Sequence, residues 1–80
     1  MTRQEFYKRT QGRDFIIEDE IFGIDFNEEE QCMYSGYVYN CGVSTLVTLP
    51  YDDDKSFDAN LSDLYEETLS YYYSCKEWLA

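Results

Sequence analysis

Carboxylates are the side chains of this sequence most able to carry chemistry. Acidic triplets occupy positions 18–20, 28–30 and 52–54, and further acids follow in the C-terminal third of the chain. Carboxylates held in a fixed array can imitate the phosphates of a nucleic-acid duplex, which carries about one charge per 1.7 Å of its axis. Arg binds carboxylate and phosphate with the same two-pronged geometry, so a basic protein site would accept such an array. The alternative is that these acids are solvated turn residues.

Tyrosine is the second unusual residue type, with nine copies among 80 residues. Tyr is enriched at protein interfaces because it buries a large area with few rotatable bonds. A domain this small cannot bury them all, so we expect some to contact a partner and others to pack partly buried on a sheet. The residues that we expect to form a partner-binding surface are Glu28, Glu29, Glu30, Tyr51, Asp52, Asp53, Asp54, Asp63, Glu66, Glu67, Tyr71 and Tyr73.

The net charge of −11 is distributed unevenly along the chain. Residues 1–13 hold four basic side chains and one acid, whereas residues 14–80 hold two basic side chains and sixteen acids. A net charge of magnitude about 2–8 is enough to keep a small domain soluble, so the excess indicates a basic partner protein, unless the acidity serves solubility alone. Direct nucleic-acid binding is not expected, because phosphate contacts need Lys and Arg. The basic segment should dock on the acidic body or contact nucleic acid at the edge of a complex.

Catalysis and metal binding are poorly supported by the residue types present. The chain has no His, which is the usual general base and metal ligand. It also lacks a Gly-rich phosphate loop and a Gly-x-Ser-x-Gly motif, so we expect neither an enzyme nor a cofactor. Calcium binding is the competing use of the acids at Asp52, Asp54 and Asp58, but Phe57 stands where an EF-hand loop requires Gly.

Compartment and size follow from the cysteines and from hydropathy. The three cysteines, Cys32, Cys41 and Cys75, with no apolar segment near Met1, indicate reduced thiols and a cytoplasmic protein. No run approaches the roughly 18 apolar residues of a membrane span. The length is that of one domain, covering residues 1–80.

The N-terminal half is predicted to form a helix and two strands. Thr2 and Glu5 fit a capping box, which predicts a short helix ending near Gly12. Residues 15–17 and 21–26 favour β-structure, but their apolar residues differ in phase. We therefore expect a bulge or a tight corner at 18–20, with a turn between two strands as the alternative.

A β-hairpin is predicted over residues 33–50. In its first strand, Tyr37 and Tyr39 share one face. In its second strand, the odd-numbered residues from 43 to 49 share one face and Leu46 lies on the other. The Asn and Gly of the segment 40–42 favour a tight turn, and Pro50 ends the second strand.

A long helix is predicted to begin near Ser56 or Asp58. Its apolar stripe comprises Leu61, Leu64, Tyr65, Leu69, Tyr72 and Leu79, extended by Cys75 and Trp78. The predicted fold class is α+β, a small single domain with a short N-terminal helix, an antiparallel three- to four-stranded sheet and a long C-terminal helix packed on one face. The other sheet face, which we expect to be rich in Tyr and acids, should be open to water or to a partner.

By its size, acidity, lack of His and compact α+β pattern, the sequence resembles small phage-encoded inhibitors, which include anti-CRISPR proteins, DNA-mimic antirestriction proteins and uracil-DNA glycosylase inhibitors. This resemblance implies a stoichiometric inhibitor of a basic nucleic-acid-binding protein in the host-cell cytoplasm. Residues 60–65 are similar to the start of the inhibitory helix in barstar-type ribonuclease inhibitors, which implies that Asp63 and Glu67 enter a basic nuclease site. The alternative function is a Tyr-rich interaction adaptor or a homodimeric structural module with incidental acidity.

Overall fold

A computed structural model describes residues 1–39 and 42–79, and the side chains of all of these except 39, 42, 43 and 76–79. The elements are α1 (Arg3–Thr10), β1 (Phe15–Ile17), β2 (Glu20–Asn27), β3 (Cys32–Tyr39), β4 (Gly42–Pro50) and α2 (Phe57–Leu79). The strands form one antiparallel sheet in the order β1-β2-β3-β4, and α2 packs against β3 and β4. The predicted α+β architecture is confirmed, while Asn40 and Cys41 of the predicted turn lie outside the described residues.

Both helices begin at side chains that cap them. Thr2 Oγ1 accepts a hydrogen bond from the backbone N–H of Glu5 at 3.0 Å, and Ser56 Oγ accepts one from the N–H of Ala59 at 3.1 Å. Each bond satisfies a backbone donor that the first helical turn leaves without a partner. Helix α1 ends where Gln11 adopts the left-handed conformation. Neither helix, within the described part of the chain, is long and apolar enough to cross a membrane.

A tight turn at Glu18 and Asp19 joins β1 to β2. Ile17 pairs with Glu20 across it, and the two turn residues have φ values of 49° and 69°. Positive φ at both central residues is the signature of a type I′ turn, whose twist matches that of a hairpin. The expected bulge is therefore wrong and the alternative, a turn between two strands, forms. The hairpin register sets odd-numbered residues of β1 opposite even-numbered residues of β2, which explains the difference in phase.

We expect Asp19→Gly to raise the free energy of unfolding by about 0.5 kcal/mol. The left-handed conformation costs an L-residue about 1–2 kcal/mol, and the greater freedom of glycine in the unfolded chain offsets roughly 0.5–1 kcal/mol of the gain. Urea unfolding followed by circular dichroism measures the difference. Asp53→Gly is the matched control, because Asp53 has no positive φ and its replacement should lower stability. A loss of stability in both variants would contradict the strain assigned to the turn.

The predicted β3–β4 hairpin forms, with one irregularity. The pairing register shifts between Ser35 and Gly36, so that Leu46 becomes the extra residue of a β-bulge on β4. The bulge reverses the phase of the strand. Leu46 therefore packs on the core, as do Val47 and Leu49, and its predicted place on the face opposite these residues is wrong.

The core lies between the sheet and α2, in two clusters. One contains Phe6, Phe26, Met33 and Leu64, and the other contains Ile17, Phe22 and Tyr72. The rings of Phe6 and Phe26 stack with centroids 5.5 Å apart. This contact fixes α1 beside β2, along the part of β2 that the short strand β1 does not pair.

The apolar stripe predicted for α2 is largely confirmed. Leu64 and Tyr72 are buried, and Leu61 and Leu69 are half-buried against the two clusters. Tyr65 is more exposed, with its ring edge-on to another aromatic ring of β1. The side chains of residues 76–79, including Trp78 and Leu79, lie outside the described set. Two buried polar residues, Asn60 and Thr68, share the stripe and were not anticipated.

The remaining expectations concern the second sheet face and the thiols. The face opposite α2 is uncovered and carries Tyr34 and the acids Asp14 and Asp25 among its described residues. Ile16, Ile21 and Val38 are also exposed there, so the expected richness in Tyr and acids is found only in part. Cys32 and Cys75 are free thiols, each half-buried. Cys41 lies outside the described residues.

Candidate partner-binding surface

Asn60 holds the acidic loop between β4 and α2 in shape. Its side chain is buried, with 2% of its surface exposed. Oδ1 accepts a hydrogen bond from the N–H of Asp52 at 2.8 Å, and Nδ2 donates to the carbonyl oxygens of Asp52 and Ser56, each at 2.9 Å. The carboxylate of Asp52 in turn accepts a bond from the N–H of Asp54. The exposed carboxylates of residues 52–54 therefore project from a fixed backbone.

The loop and one side of α2 form an open groove of about 830 Å³, which we call the acidic groove. Its acids are Asp52, Asp53, Asp54, Asp63, Glu66 and Glu67. Lys55 is the single basic residue of its lining, and its Nζ donates to Asp63 Oδ2 at 2.9 Å. This hydrogen bond raises the pKa of Lys55 above its usual value. Six carboxylates and one ammonium group give the groove a net charge of −5. Seven of the predicted residues, these six acids and Tyr51, therefore share one concave surface.

The triplet 28–30 lies at the same end of the sheet as the acidic groove. The N–H of Tyr51 donates to the carbonyl oxygen of Gln31 at 3.0 Å, which joins the β2–β3 turn to the end of β4. The start of α1 also reaches this end, where the N–H of Arg3 donates to Glu28 Oε1 and the terminal ammonium of Met1 donates to Gln31 Oε1. Glu28 therefore already accepts a hydrogen bond within the chain, whereas Glu29 and Glu30 are exposed at this end of the sheet.

The triplet 18–20 lies at the opposite end of the sheet. The hydroxyl groups of Tyr72 and Tyr73 donate to Glu18 at 3.2 and 3.4 Å. The hydroxyl of Tyr37 donates to Glu20 at 2.6 Å, and this bond raises the pKa of the Tyr37 phenol. The acids are therefore not gathered on one side of the molecule: two triplets and the groove acids of α2 lie at one end, and the third triplet lies at the other.

The structure separates the three tyrosines predicted to anchor a partner. Tyr51 is half-buried and packs edge-on against the ring of Phe26, with centroids 6.1 Å apart. Tyr71 is 42% exposed and follows Asp63 and Glu67 at four-residue spacing, so it lies on the same side of α2 as the groove acids. Tyr73 is 53% exposed but belongs to the opposite end, beside the 18–20 turn. Tyr51 thus lines the acidic groove, Tyr71 lies one turn beyond Glu67 on the same side of α2, and Tyr73 lies at the opposite end.

The basic N-terminal segment docks on the acidic body through Arg3. Nε and Nη2 of its guanidinium donate to the two oxygens of Asp25, at 2.8 and 2.6 Å. This bidentate bond lowers the pKa of Asp25, with a further contribution from the N–H of Phe26, and raises the pKa of Arg3. The guanidinium of Arg9 lies 5.3 Å from the centre of the Phe57 ring, which ties α1 to α2.

We expect the pKa of the Asp25 carboxyl to lie below its ordinary value of 3.8. Because the folded pKa is the lower one, the Arg3–Asp25 contact stabilises the fold above that pH, and the contribution is lost as pH falls through the lowered pKa. Arg3→Gln should return the pKa toward 3.8, so that most of this pH-dependent contribution to stability disappears. Carboxyl-carbon NMR titration measures both values. Arg13→Gln removes the same charge and should leave the Asp25 pKa lowered; an equal rise in both variants would contradict the contact.

No protein-family model, curated protein or solved structure matches this chain. Function must therefore be inferred from the surface itself. Within residues 1–39 and 42–79, no group of three or more Cys, Asp or Glu side chains is arranged to hold a metal ion. In the segment that resembles barstar-type inhibitors, Asn60 and Leu64 are buried. Asp63 of this segment lines the acidic groove, as does Glu67 one turn further along α2.

Sequence reasoning missed the role of Asn60 and the pairing of Arg3 with Asp25. Asn is a weak helix former that favours caps and turns, so an Asn inside the first turns of a predicted helix was an available signal. The partner of Arg3 lies 22 residues away in sequence, and no local pattern indicates it.

Proposed function

We propose that this chain is a stoichiometric inhibitor that binds a basic, nucleic-acid-binding surface of another protein, as DNA mimics of the anti-CRISPR and antirestriction kind do. The observation that carries the proposal is the acidic groove, where six carboxylates meet one ammonium group. Its loop is held by buried hydrogen bonds, so its charges are ordered before a partner arrives. Ordering in advance lowers the entropic cost of binding.

The spacing of the α2 acids suits a site that binds phosphates. Four residues of α-helix rise about 6 Å, which is the separation of Asp63 and Glu67 along the axis. Successive phosphates of one strand are about 3.4 Å apart along the duplex axis, and the turn of the strand around that axis adds to their separation, so neighbouring phosphates are spaced on the same scale as these carboxylates. Arg side chains that bind neighbouring phosphates would therefore meet the carboxylates of Asp63 and Glu67. Tyr51 and Tyr71 would add aromatic contact area near the groove.

The partner proposed is a defence nuclease or another effector that holds nucleic acid in a basic cleft. The chain would act by occupying that cleft, without catalysis, cofactor or direct contact with nucleic acid. The setting that fits such a partner is a phage protein in the cytoplasm of a bacterial host. Steering by the net charge of −11 would make association fast and sensitive to salt.

A second candidate function is an interaction adaptor or homodimeric module in which the acidity is incidental. The observations that favour it are the exposure of Tyr71 and Tyr73 on α2, at 42% and 53%, and the exposure of three aliphatic side chains on the uncovered sheet face, which are Ile16, Ile21 and Val38. Under this function, neutralising the groove would leave binding intact, whereas Tyr71→Ala or Tyr73→Ala would abolish it.

DNA cleavage by a panel of purified restriction endonucleases and RNA-guided nucleases tests the inhibitor function. At least one nuclease should be inhibited at an equimolar ratio, and duplex DNA should compete with the inhibitor for it. Binding should weaken as salt is raised, because the contacts are between charges. Lack of inhibition across the panel, or an affinity that does not change with salt, would count against the proposal.

A further inference from the structure

A basic side chain, that of Lys55, lies inside the acidic groove. Its Nζ donates to Asp63 Oδ2 at 2.9 Å, and the two side chains are 50% and 41% exposed. Residues 14–80 contain only two basic side chains against sixteen acids. One of these two therefore occupies the surface that we expect to attract cations from another protein, and its position needs a physical reason.

The fold does not require the side chain of Lys55. The loop is held by the buried Asn60 and by a backbone bond from the N–H of Lys55 to the carbonyl oxygen of Asp52, at 3.1 Å. Lys55 also precedes Phe57, the first residue of α2, by two positions, and the positive end of a helix dipole favours an acid there over a base. An exposed ion pair contributes little stability, because water solvates both groups and both side chains lose freedom. The contact is therefore weak enough to be exchanged for another.

Asp63 can accept more than Lys55 gives it. An ammonium group is a point donor, and it contacts one oxygen of the carboxylate. Within the described part of the chain, no hydrogen bond to the other oxygen, Oδ1, is seen. An Arg side chain donates to both oxygens of a carboxylate at once. An arginine that replaced Lys55 would therefore gain a hydrogen bond, whereas a lysine would only replace like with like.

We propose that Lys55 is an internal competitor for the cations of the partner: it occupies Asp63 in the free chain, and an arginine of the partner displaces it on binding. This inference rests on the proposed function, because it takes the acidic groove to be the surface that a basic protein binds. The Asp52 carboxylate also raises the pKa of Lys55, so it lies close enough to attract the released ammonium. That ammonium then opposes the incoming cations, and Lys55 lowers the affinity of the groove.

The exchange restricts the kind of partner that the groove can bind. A protein with isolated surface lysines gains nothing at Asp63, because one ammonium replaces another. A cleft with several arginines gains the second hydrogen bond at Asp63 and contacts with the other five carboxylates of the groove. Specific interfaces often carry a group that opposes the wrong partners. Lys55 would have that role here, in favour of an arginine-rich cleft.

Binding of hexa-arginine to the full chain, followed by NMR titration, tests the exchange without a nuclease. In about 0.1 M salt the Debye length is about 10 Å, so distant charges contribute little. Lys55→Gln should tighten binding about fivefold, the upper end of what an exposed ion pair contributes. Lys8→Gln is the matched control and should tighten binding less than about twofold. Lys8 is exposed on α1 and takes part in neither of the two ion pairs found among the described residues.

Asp63→Asn separates exchange at this carboxylate from a general gain of negative charge. In the chain with Asp63→Asn, Lys55 has no carboxylate to hold at this position. Adding Lys55→Gln to that chain should therefore change the affinity for hexa-arginine less than about twofold, whereas independent effects of the two substitutions would simply add.

Four results would overturn the exchange. These are no binding of hexa-arginine, a gain with Lys55→Gln no larger than that with Lys8→Gln, a gain that persists beside Asp63→Asn, and a loss of affinity with Lys55→Gln, which would mean that Lys55 positions Asp63 for the partner. Nuclease inhibition keeps the two proposals apart. A chain that inhibits a nuclease but shows no competition by Lys55 retains the inhibitor function without the exchange, and competition without inhibition of any nuclease retains the exchange alone.

Discussion

Asn60→Asp should lower the free energy of unfolding by about 3–4 kcal/mol. The replaced Nδ2 donates to the carbonyl oxygens of Asp52, Lys55 and Ser56. A carboxylate oxygen in its place would face these acceptors with no proton to share. Burial of an uncompensated charge at this site would also repel the neighbouring acids of the loop.

Two further variants separate the causes of that loss. Asn60→Ala removes the hydrogen bonds without adding charge and should cost about 1–3 kcal/mol. Asn27→Asp is the matched control, because Asn27 is exposed and its Oδ1 only accepts a bond from the N–H of Glu30, which a carboxylate can also do. Urea unfolding gives the three values. If Asn60→Asp and Asn27→Asp lose equal stability, Asn60 does not hold the loop as described.

The fold follows from local patterns wherever one pattern dominates. The stripe of α2 and its cap at Ser56 are local features, and both are read from spacing alone. The β1–β2 connection could not be predicted in this way, because Glu18 and Asp19 lack the glycine that usually marks a type I′ turn. The bulge at Leu46 depends on how α2 packs across β4, so the strand pattern alone gives the wrong face for that residue.

The placement of the candidate surface depends on topology more than on motifs. In an up-and-down sheet, the 28–30 turn and the 52–54 loop must share one end, and the 18–20 turn must lie at the other. The predicted antiparallel sheet already implied that the acidic segments divide between its two ends. Because the phase of β1 and β2 was uncertain, the sequence did not show whether a turn separates these strands.

Neutralising the groove loop with Asp52→Asn, Asp53→Asn and Asp54→Asn should weaken binding to an inhibited nuclease by at least about 100-fold, at roughly 1 kcal/mol per lost charge-assisted contact. The fold should survive, because an Asn at position 52 keeps the oxygen that accepts the N–H of Asp54. The measurement is the equilibrium dissociation constant at low salt, together with its salt dependence. Fewer ionic contacts should make that dependence shallower.

The matched control neutralises the triplet at the other end, with Glu18→Gln, Asp19→Asn and Glu20→Gln. These changes remove the same total charge, keep oxygen acceptors for the tyrosine hydroxyls, and place Asn where φ is positive, which Asn tolerates well. Long-range attraction falls equally in both variants, so the control should lose less than about tenfold through slower association. Equal losses would mean that net charge alone governs binding. No loss of affinity in either variant would favour the adaptor function over the DNA mimic. A partner that binds the groove carboxylates should lose affinity when the groove triplet is neutralised, whereas a partner of the adaptor should not.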